Sequence, residues 1–184
     1  MGAIDLLIEN DPPTFQSAYE LESLLAIYTK QQPRTMLEVG TYYGGTLKRF
    51  LESTAPGATI VSVDMPPHEV NSERFQGWAA AAGQDLHYLV GDNRDHRIIE
   101  QVAAFGPYDF VFIDADHSYV DVSHDWAIYG AMARPGGIVA FHDINPREGY
   151  GVSQLWHEIN TQGYATEEIS AGLPGLCGIG VVHV

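Results

Sequence analysis

Two acids and a histidine, Asp114, Asp116 and His117, follow on the largely aromatic and β-branched run Tyr108–Ile113, and a second polar pair, His142-Asp143, ends the run Gly137–Phe141. Aromatic and β-branched runs bounded by turn residues read as buried parallel strands, and the carboxyl ends of such strands are where open α/β sheets place their chemistry. Carboxylates crowded at one sheet edge repel one another, a cost that calls for a compensating cation. Oxygen donors with an imidazole suit a divalent ion, and with no cysteine in the cluster a structural zinc centre is not expected. The alternative is that these groups only cap strand ends and meet water. One such residue would favour that alternative; five at two strand ends favour a site. Successive strand residues point to opposite faces, so His142 and Asp143 can reach one ion only if the strand is already turning.

A glycine turn is the other feature with chemical content. Met36-Leu37-Glu38-Val39-Gly40-Thr41-Tyr42-Tyr43-Gly44-Gly45-Thr46 reads as a buried strand, a tight turn and the first residues of a helix. Glycine at the turn lets the backbone approach a ligand closely. The helix beginning near Gly45 would aim its free N–H groups and positive dipole end at that ligand, so an anionic group is the natural occupant. A dinucleotide fingerprint is excluded, because its second glycine would fall at Tyr42, and a P-loop is excluded because no lysine precedes Thr46.

The elements between these features alternate. A helix is expected over Thr14–Lys30, with Thr14 as its N-cap after Asp11-Pro12-Pro13 and a short amphipathic opening over Met1–Asn10 before it. Ala58–Val63 forms a second strand ending in Asp64, the place where a ribose hydroxyl pair finds its acceptor. Met65-Pro66-Pro67-His68 is a stiff loop able to wall one side of a cofactor. A helix over Glu73–Ala82, a third strand over Leu86–Val90, its turn Gly91-Asp92-Asn93 and a helix over Ile98–Phe105 follow. The helix Ser118–Ala133 joins the two polar-ended strands. A helix over Val152–Asn160 precedes two short strands, Ala165–Ile169 and Gly178–Val184, around the Gly/Pro-rich loop Ser170–Cys177. Five β/α alternations and a closing strand pair mean an α/β fold with a doubly wound, mostly parallel seven-stranded sheet and a C-terminal antiparallel strand. No repeat or linker divides the chain, so residues 1–184 are expected to form one domain with a helical arm over residues 1–33.

At 184 residues the chain is long enough for a real core. A net charge of −15 opposes nucleic acid and anionic membrane surfaces as partners. The single cysteine excludes an internal disulfide. The N-terminus lacks a basic n-region, position 6 is Leu rather than the Ser or Thr of a myristoylation site, and no apolar run is long enough for a membrane span, so a cytoplasmic protein is expected. A homodimer is the expected assembly, since a domain this small has little of its own to cover an acceptor.

The run Glu38-Val39-Gly40-Thr41-Tyr42-Tyr43-Gly44 resembles the first motif of class I S-adenosylmethionine-dependent methyltransferases, Glu-x-Gly-x-x-x-Gly. The chain from about Arg34 onward is similar to the small metal-dependent O-methyltransferases of catechol and caffeoyl type and to the antibiotic- and sugar-modifying methyltransferases grouped with cephalosporin-type hydroxylases. The resemblance implies that Glu38, Gly40, Gly44 and Thr46 hold the methionine part of S-adenosylmethionine and that Asp64 holds the ribose. It implies that Asp92 and Asn93 lie against the adenine, and that Tyr43, Met65 and Asp114 also bind the cofactor. The caffeoyl-type enzymes carry Asp-Ala-Asp-Lys and Asp-Asn where this chain has Asp114-Ala115-Asp116-His117 and His142-Asp143. Carried over by position, Asp114, His142 and Asp143 become ligands of a magnesium or manganese ion, and His117 becomes the base. His142 departs from the pattern, because imidazole matches magnesium poorly. The implied activity is O-methylation of a small-molecule hydroxyl, with an unperturbed histidine pKa of about 6.5 suited to taking the proton at neutral pH. A metal-dependent hydrolase or hydroxylase on the same cluster, and a non-catalytic binding protein on the same scaffold, are the alternatives.

Overall fold

The computed structural model describes residues 12–65, 72–170 and 177–184. The expected opening over Met1–Asn10, the loop Pro66-Pro67-His68 and all of the Ser170–Cys177 loop but its two ends lie outside the described residues. The chain runs α1 (Ala18–Gln31), β1 (Thr35–Val39), α2 (Gly45–Ser53), β2 (Thr59–Asp64), α3 (Ser72–Ala82), β3 (Asp85–Val90), α4 (His96–Ala103), β4 (Tyr108–Ile113), α5 (Tyr119–Ile128), β5 (Ala133–His142), α6 (Val152–Asn160), β6 (Ala165–Ile169) and β7 (Ile179–His183). One sheet takes the order β3-β2-β1-β4-β5-β7-β6. Strands β1 to β5 are parallel, and β7 is antiparallel to both β5 and β6.

The period of two along the strands sorts the core into two layers. Met36, Phe110 and Phe112 pack with Leu21, Leu24, Tyr28, Leu47, Phe50 and Phe75 from α1, α2 and α3. Leu37, Val39, Val111 and Ile113 face the other way, onto Val102, Val122, Leu155, Trp156 and Ile159 from α4, α5 and α6. Every residue of β4 is buried, which is why Phe110–Ile113 reads as an unbroken apolar run and not as an alternation; Asp109, near the start of the strand, accepts from the Arg34 and Thr35 N–H groups.

Helix α1 starts four residues later than its sequence pattern predicts. Ser17 is the N-cap, its hydroxyl accepting from the Glu20 N–H at 3.2 Å. Residues 13–16 instead run as a strap over the start of α2, so close that a Cβ on Gly45 would lie 2.1 Å from the Pro13 carbonyl oxygen. Helix α5 is likewise shorter than expected; Ser118 caps it, and a 3-10 turn over Gly130–Met132 leads into β5. Strand β5 begins at Ala133, before the exposed Pro135 and Gly136, with a register break against β4.

Glu38 is the anomaly in the core. It shares the Met36 face of β1 and is fully buried. Its Oε2 accepts from the Ser62 hydroxyl at 2.6 Å, Ser62 and Thr41 share a further 2.6 Å hydrogen bond, and Oε1 has no partner among the described residues. Burial pushes the Glu38 carboxyl up from its ordinary value to about 8, against the lowering effect of Ser62. The folded protein therefore binds a proton that the unfolded chain has released, and stability falls as pH rises from about 4.5 toward about 8. Glu38→Gln, which keeps the shape and cannot ionise, should flatten that fall. Thermal melts of both proteins at pH 5 and pH 8 check this; an equal change in Tm for the two would show that Glu38 does not carry it.

Candidate active site

The switch point of the sheet lies where β1 gives way to its glycine turn, beside the end of β4. Gly40 has φ 95°, and a Cβ there would meet the Asp114 carbonyl oxygen at 2.1 Å and the Ala115 Cα at 2.8 Å. A cavity of about 710 Å³ opens at this edge, and its lining takes in Gly40, Tyr42, Tyr43, Thr46, Asp64, Met65, Asn93, Asp114, His117, His142 and Asp143. Most of the residues singled out in the sequence thus meet around one space.

Three do not line it. Glu38 lies behind the turn in the core and acts through the Ser62–Thr41 hydroxyl chain. Gly44 is the left-handed N-cap of α2, at φ 78°, and the Phe75 ring lies where its side chain would be. Asp92 turns away to Arg94, whose backbone N–H and Nε donate to Oδ1 at 2.9 and 3.2 Å, and these hydrogen bonds lower its pKa. Gly91 and Asn93 line the cavity from that corner instead, with the Asn93 amide donating to Asp125 at 2.7 Å.

Asp64 ends β2 as expected, and its carboxylate already organises the turn. Oδ2 accepts from the Tyr42 N–H at 2.7 Å and Oδ1 from the Met65 N–H at 2.8 Å. Thr46 donates its hydroxyl to Gln16 Oε1 at 2.8 Å, and Gln16 Nε2 donates to Asp114 Oδ2 at 2.9 Å. Gln16 is buried to 2% exposure and bridges the helix start and the acid cluster. No pattern in the sequence points to it, because its partners lie 30 and 98 residues away.

The acid–histidine cluster is compact. Asp143 has φ 61°, so the chain leaves the strand direction directly after His142 and both side chains reach Asp114's end of the sheet. His142 Nδ1 lies 3.0 Å from Asp143 Oδ2 and 3.3 Å from Asp114 Oδ1, and His117 Nε2 lies 2.8 Å from Asp143 Oδ2 and 3.9 Å from Asp114 Oδ1. His117 also stacks on Tyr150 at 4.4 Å. Asp116 is drawn off to accept from the Ser118 N–H at 2.7 Å at the start of α5.

Charge balance here differs from the sequence-based expectation. Burial pushes the His117 imidazole down, but hydrogen bonds to Asp114 and Asp143 and their charges outweigh it and raise the pKa to about 9. Burial likewise opposes the charge on His142, yet the two carboxylates hold it well above its ordinary range. Asp114 and Asp143 are lowered, burial being outweighed by the imidazoles. His117 is therefore an imidazolium at neutral pH in this state, not the imidazole poised near 6.5, and two imidazolium groups supply the positive charge that two acids demand. Nor is the cluster free of sulfur: ligand atoms of His142, Asp143 and Cys177 lie within 4.8 Å of one another, as do those of Asp114, His117 and Asp143. Among the described residues, His142 Nε2 and Asp143 Oδ1 are buried without a hydrogen-bond partner. Such orphaned donor atoms fit a divalent ion.

An open, mostly parallel sheet with its glycine turn and ribose-positioned acid at the switch point defines the class I S-adenosylmethionine-dependent methyltransferase architecture. A family model described as a methyltransferase domain matches residues 37–144, and the chain belongs to that family. A catechol O-methyltransferase of Mycobacterium tuberculosis is 27% identical over 113 residues, 61% of this chain and 49% of that protein. The uncharacterized protein y4gI of Sinorhizobium fredii is 27% identical over 143 residues, 70% of this chain and 15% of that protein. The chain spans less than two thirds of the length of these curated relatives. Among solved structures, the O-methyltransferase TomG from Streptomyces achromogenes, involved in tomaymycin synthesis and solved with S-adenosylmethionine, superposes with a TM-score of 0.72 at 21% identity, over 99% of this chain and 87% of that one. An O-methyltransferase from Bacillus cereus in complex with S-adenosylhomocysteine gives 0.67 at 18% identity, over 91% and 82%. At those identities the likeness establishes the fold. No helix among the described residues is long and apolar enough to cross a membrane.

Because the Gly40 neighbours are backbone atoms, Gly40→Ala cannot be relieved by a side-chain rotation. The variant should lose at least the roughly 1–3 kcal/mol typical of overpacking, read as a Tm several degrees lower. A Tm equal to that of the parent would show that the approach of β1 to Asp114 is not constraining.

Proposed function

We propose that the chain transfers a methyl group from S-adenosylmethionine to the hydroxyl of a small-molecule acceptor, assisted by a divalent ion. The observation that carries this is the meeting, in one cavity, of the Gly40 turn, the Asp64 carboxylate and the acid–histidine cluster. The catechol O-methyltransferase relative and the cofactor-bound structural neighbours support the same reading. Asp64 accepts the ribose hydroxyls, and the N-terminus of α2, which lines the cavity at Gly45 and Thr46, receives the methionine carboxylate. Four aromatic rings on the lining, Phe15, Tyr42, Tyr43 and Tyr150, give flat walls for the acceptor. The sulfonium carries its own leaving group, so what the protein supplies is alignment of hydroxyl and methyl and removal of one proton.

Asp114, His142 and Asp143 are the groups placed around the ion. When bound, it supplies charge that lowers the pKa of an acceptor hydroxyl. His117, stacked on Tyr150 and hydrogen-bonded to Asp143, takes the proton at Nε2 once it has given up the one it shares with the carboxylates. A base must be deprotonated to act, and the raised pKa puts that limb at higher pH than an ordinary histidine would. One domain, a cytoplasmic setting and a homodimer complete the reading; the net charge of −15 argues against a polynucleotide acceptor.

Calorimetry with S-adenosylhomocysteine tests the cofactor half and separates a methyltransferase from a hydrolase on the same cluster. The parent should bind it. Asp64→Ala should bind much more weakly, since hydrogen bonds to a charged acceptor are worth about 1.5–3 kcal/mol each. No binding by the parent would defeat the proposal. For the chemistry, His117→Ala should lower kcat about 10²–10⁴-fold with S-adenosylhomocysteine affinity near normal. In the parent, kcat/KM should climb with pH through and above neutrality, and that limb should vanish in His117→Ala. A limb that persists in the variant would assign the proton to another group.

A further inference from the structure

Cys177 sits beside the acid–histidine cluster and has no part in the chemistry described above. Its place is set by the antiparallel pairing of β7 with β5, where Ile179 lies opposite His142. That register carries residue 177 just past the end of β5, and the Asn145 N–H fixes it there by donating to the Cys177 carbonyl oxygen at 2.9 Å. The thiol contacts both the His142 imidazole and the Asp143 carboxyl, and the three side chains have ligand atoms within 4.8 Å of one another.

The orientation of His142 decides what such a group can do. Its Nδ1 is held between Asp143 Oδ2 at 3.0 Å and Asp114 Oδ1 at 3.3 Å. A carboxylate on one ring nitrogen fixes the tautomer of the neutral ring, so that loss of the imidazolium's second proton makes the other nitrogen the lone-pair donor, the arrangement of a metal-ligating histidine. That other nitrogen, Nε2, is buried and without a hydrogen-bond partner in a side chain only 4% exposed, and Asp143 Oδ1 is in the same condition in a residue 5% exposed. Buried polar atoms left unsatisfied are costly, so two at one place mark a missing partner. Nitrogen, oxygen and sulfur donors together do not suit magnesium, which demands oxygen ligands, whereas they suit zinc-like ions.

We propose that His142 through Nε2, Asp143 and Cys177 are the direct ligands of one divalent cation of the borderline class, zinc(II) or cobalt(II) in type, in preference to magnesium. The proposal rests on the metal half of the reading above and makes Asp114 the group that orients His142. On binding, the Cys177 thiol and the His142 imidazolium each lose one proton to solvent as the sulfur–metal and Nε2–metal bonds form. Three protein ligands leave a coordination position open, as in catalytic sites and unlike closed structural ones.

The test is cobalt(II) titration of the full chain after exhaustive chelation, followed by its near-ultraviolet absorption. Stoichiometric cobalt should raise a sulfur-to-cobalt charge-transfer band, and since Cys177 is the single cysteine the band can belong to no other residue. Zinc should displace the cobalt, and magnesium in large excess should not. Cys177→Ser should abolish the band and weaken zinc binding roughly tenfold or more, at least the loss that removal of an outer-shell partner brings. Cobalt bound without the band, or displaced as readily by magnesium as by zinc, would overturn the ligand set while leaving a metal-assisted enzyme. Failure of cobalt, zinc, manganese and magnesium all to bind would overturn the metal half of the function as well. The band in the parent decides the matter even if Cys177→Ser folds poorly.

Discussion

The approach of Gly40 to the Asp114 backbone is the constraint on which the site depends. β1 and β4 are neighbours in the middle of the sheet, and from here the chain leaves β1 toward β2 on one side and β4 toward β5 on the other. A crevice opens where such connections diverge, and its width is set by the absence of a side chain at position 40. A Cβ at 2.1 Å from the Asp114 carbonyl would push the two strand ends apart. Asp64 reaches the crevice from β2, Asp114 forms its floor, and His142 and Asp143 arrive from β5, all within the geometry that this one contact fixes.

Buried acids at the same sheet edge end up in opposite protonation states for reasons visible in their neighbours. Glu38 meets a hydroxyl and has no cation beside it, so burial prevails and it keeps its proton toward about pH 8. Asp114 and Asp143 are also sheltered, yet each faces imidazoles, and these charges overcome the burial cost. Desolvation sets the sign for the isolated acid, and partners set it for the paired ones. The paired cluster thereby stores a proton on His117, and any cation that takes over the carboxylates would weaken the hold on it. Proton affinity and ion affinity at this edge are thus one coupled equilibrium.

The sheet was legible because its signals are local. Tyr108–Ile113 reads as a buried strand from six consecutive residues, and Gly40, Asp64, Asp114 and His142 take their places from strand order alone. What could not be read depends on contacts distant in sequence. Thr14 and Ser17 both satisfy the N-cap pattern for α1, and the choice falls to Ser17 because residues 13–16 are taken up over α2. Asp92 and Asn93 are equivalent turn residues until Arg94 captures the first. The pKa of His117 follows from Asp114, three positions back, together with Asp143, 26 positions on, and Cys177 enters the cluster only through the register of β7 on β5. The turn at Asp143 was the one local feature on which the ligand set hinged, and a positive φ at an aspartate is tolerated without being announced by the sequence.

The strap and helix that precede the sheet are tied into this edge by two side chains rather than by apolar packing alone. Gln16 spends its carbonyl on Thr46 and its amide on Asp114, so the helix start and the acid cluster share one hydrogen-bonded link. Glu20, fully buried in α1, accepts from the Gly178 N–H at 3.1 Å and so holds the residue next to Cys177. In the reverse orientation the Gln16 amide oxygen would face the acceptor-only Asp114 carboxylate, and that bond would be lost. The two ends of Gln16 therefore fix which way Asp114 Oδ2 faces, leaving Oδ1 for the imidazoles. Positioning at the carboxyl edge thus comes partly from a segment that precedes every strand, and the first turn of α1 is as much a part of the site's geometry as the strand ends themselves.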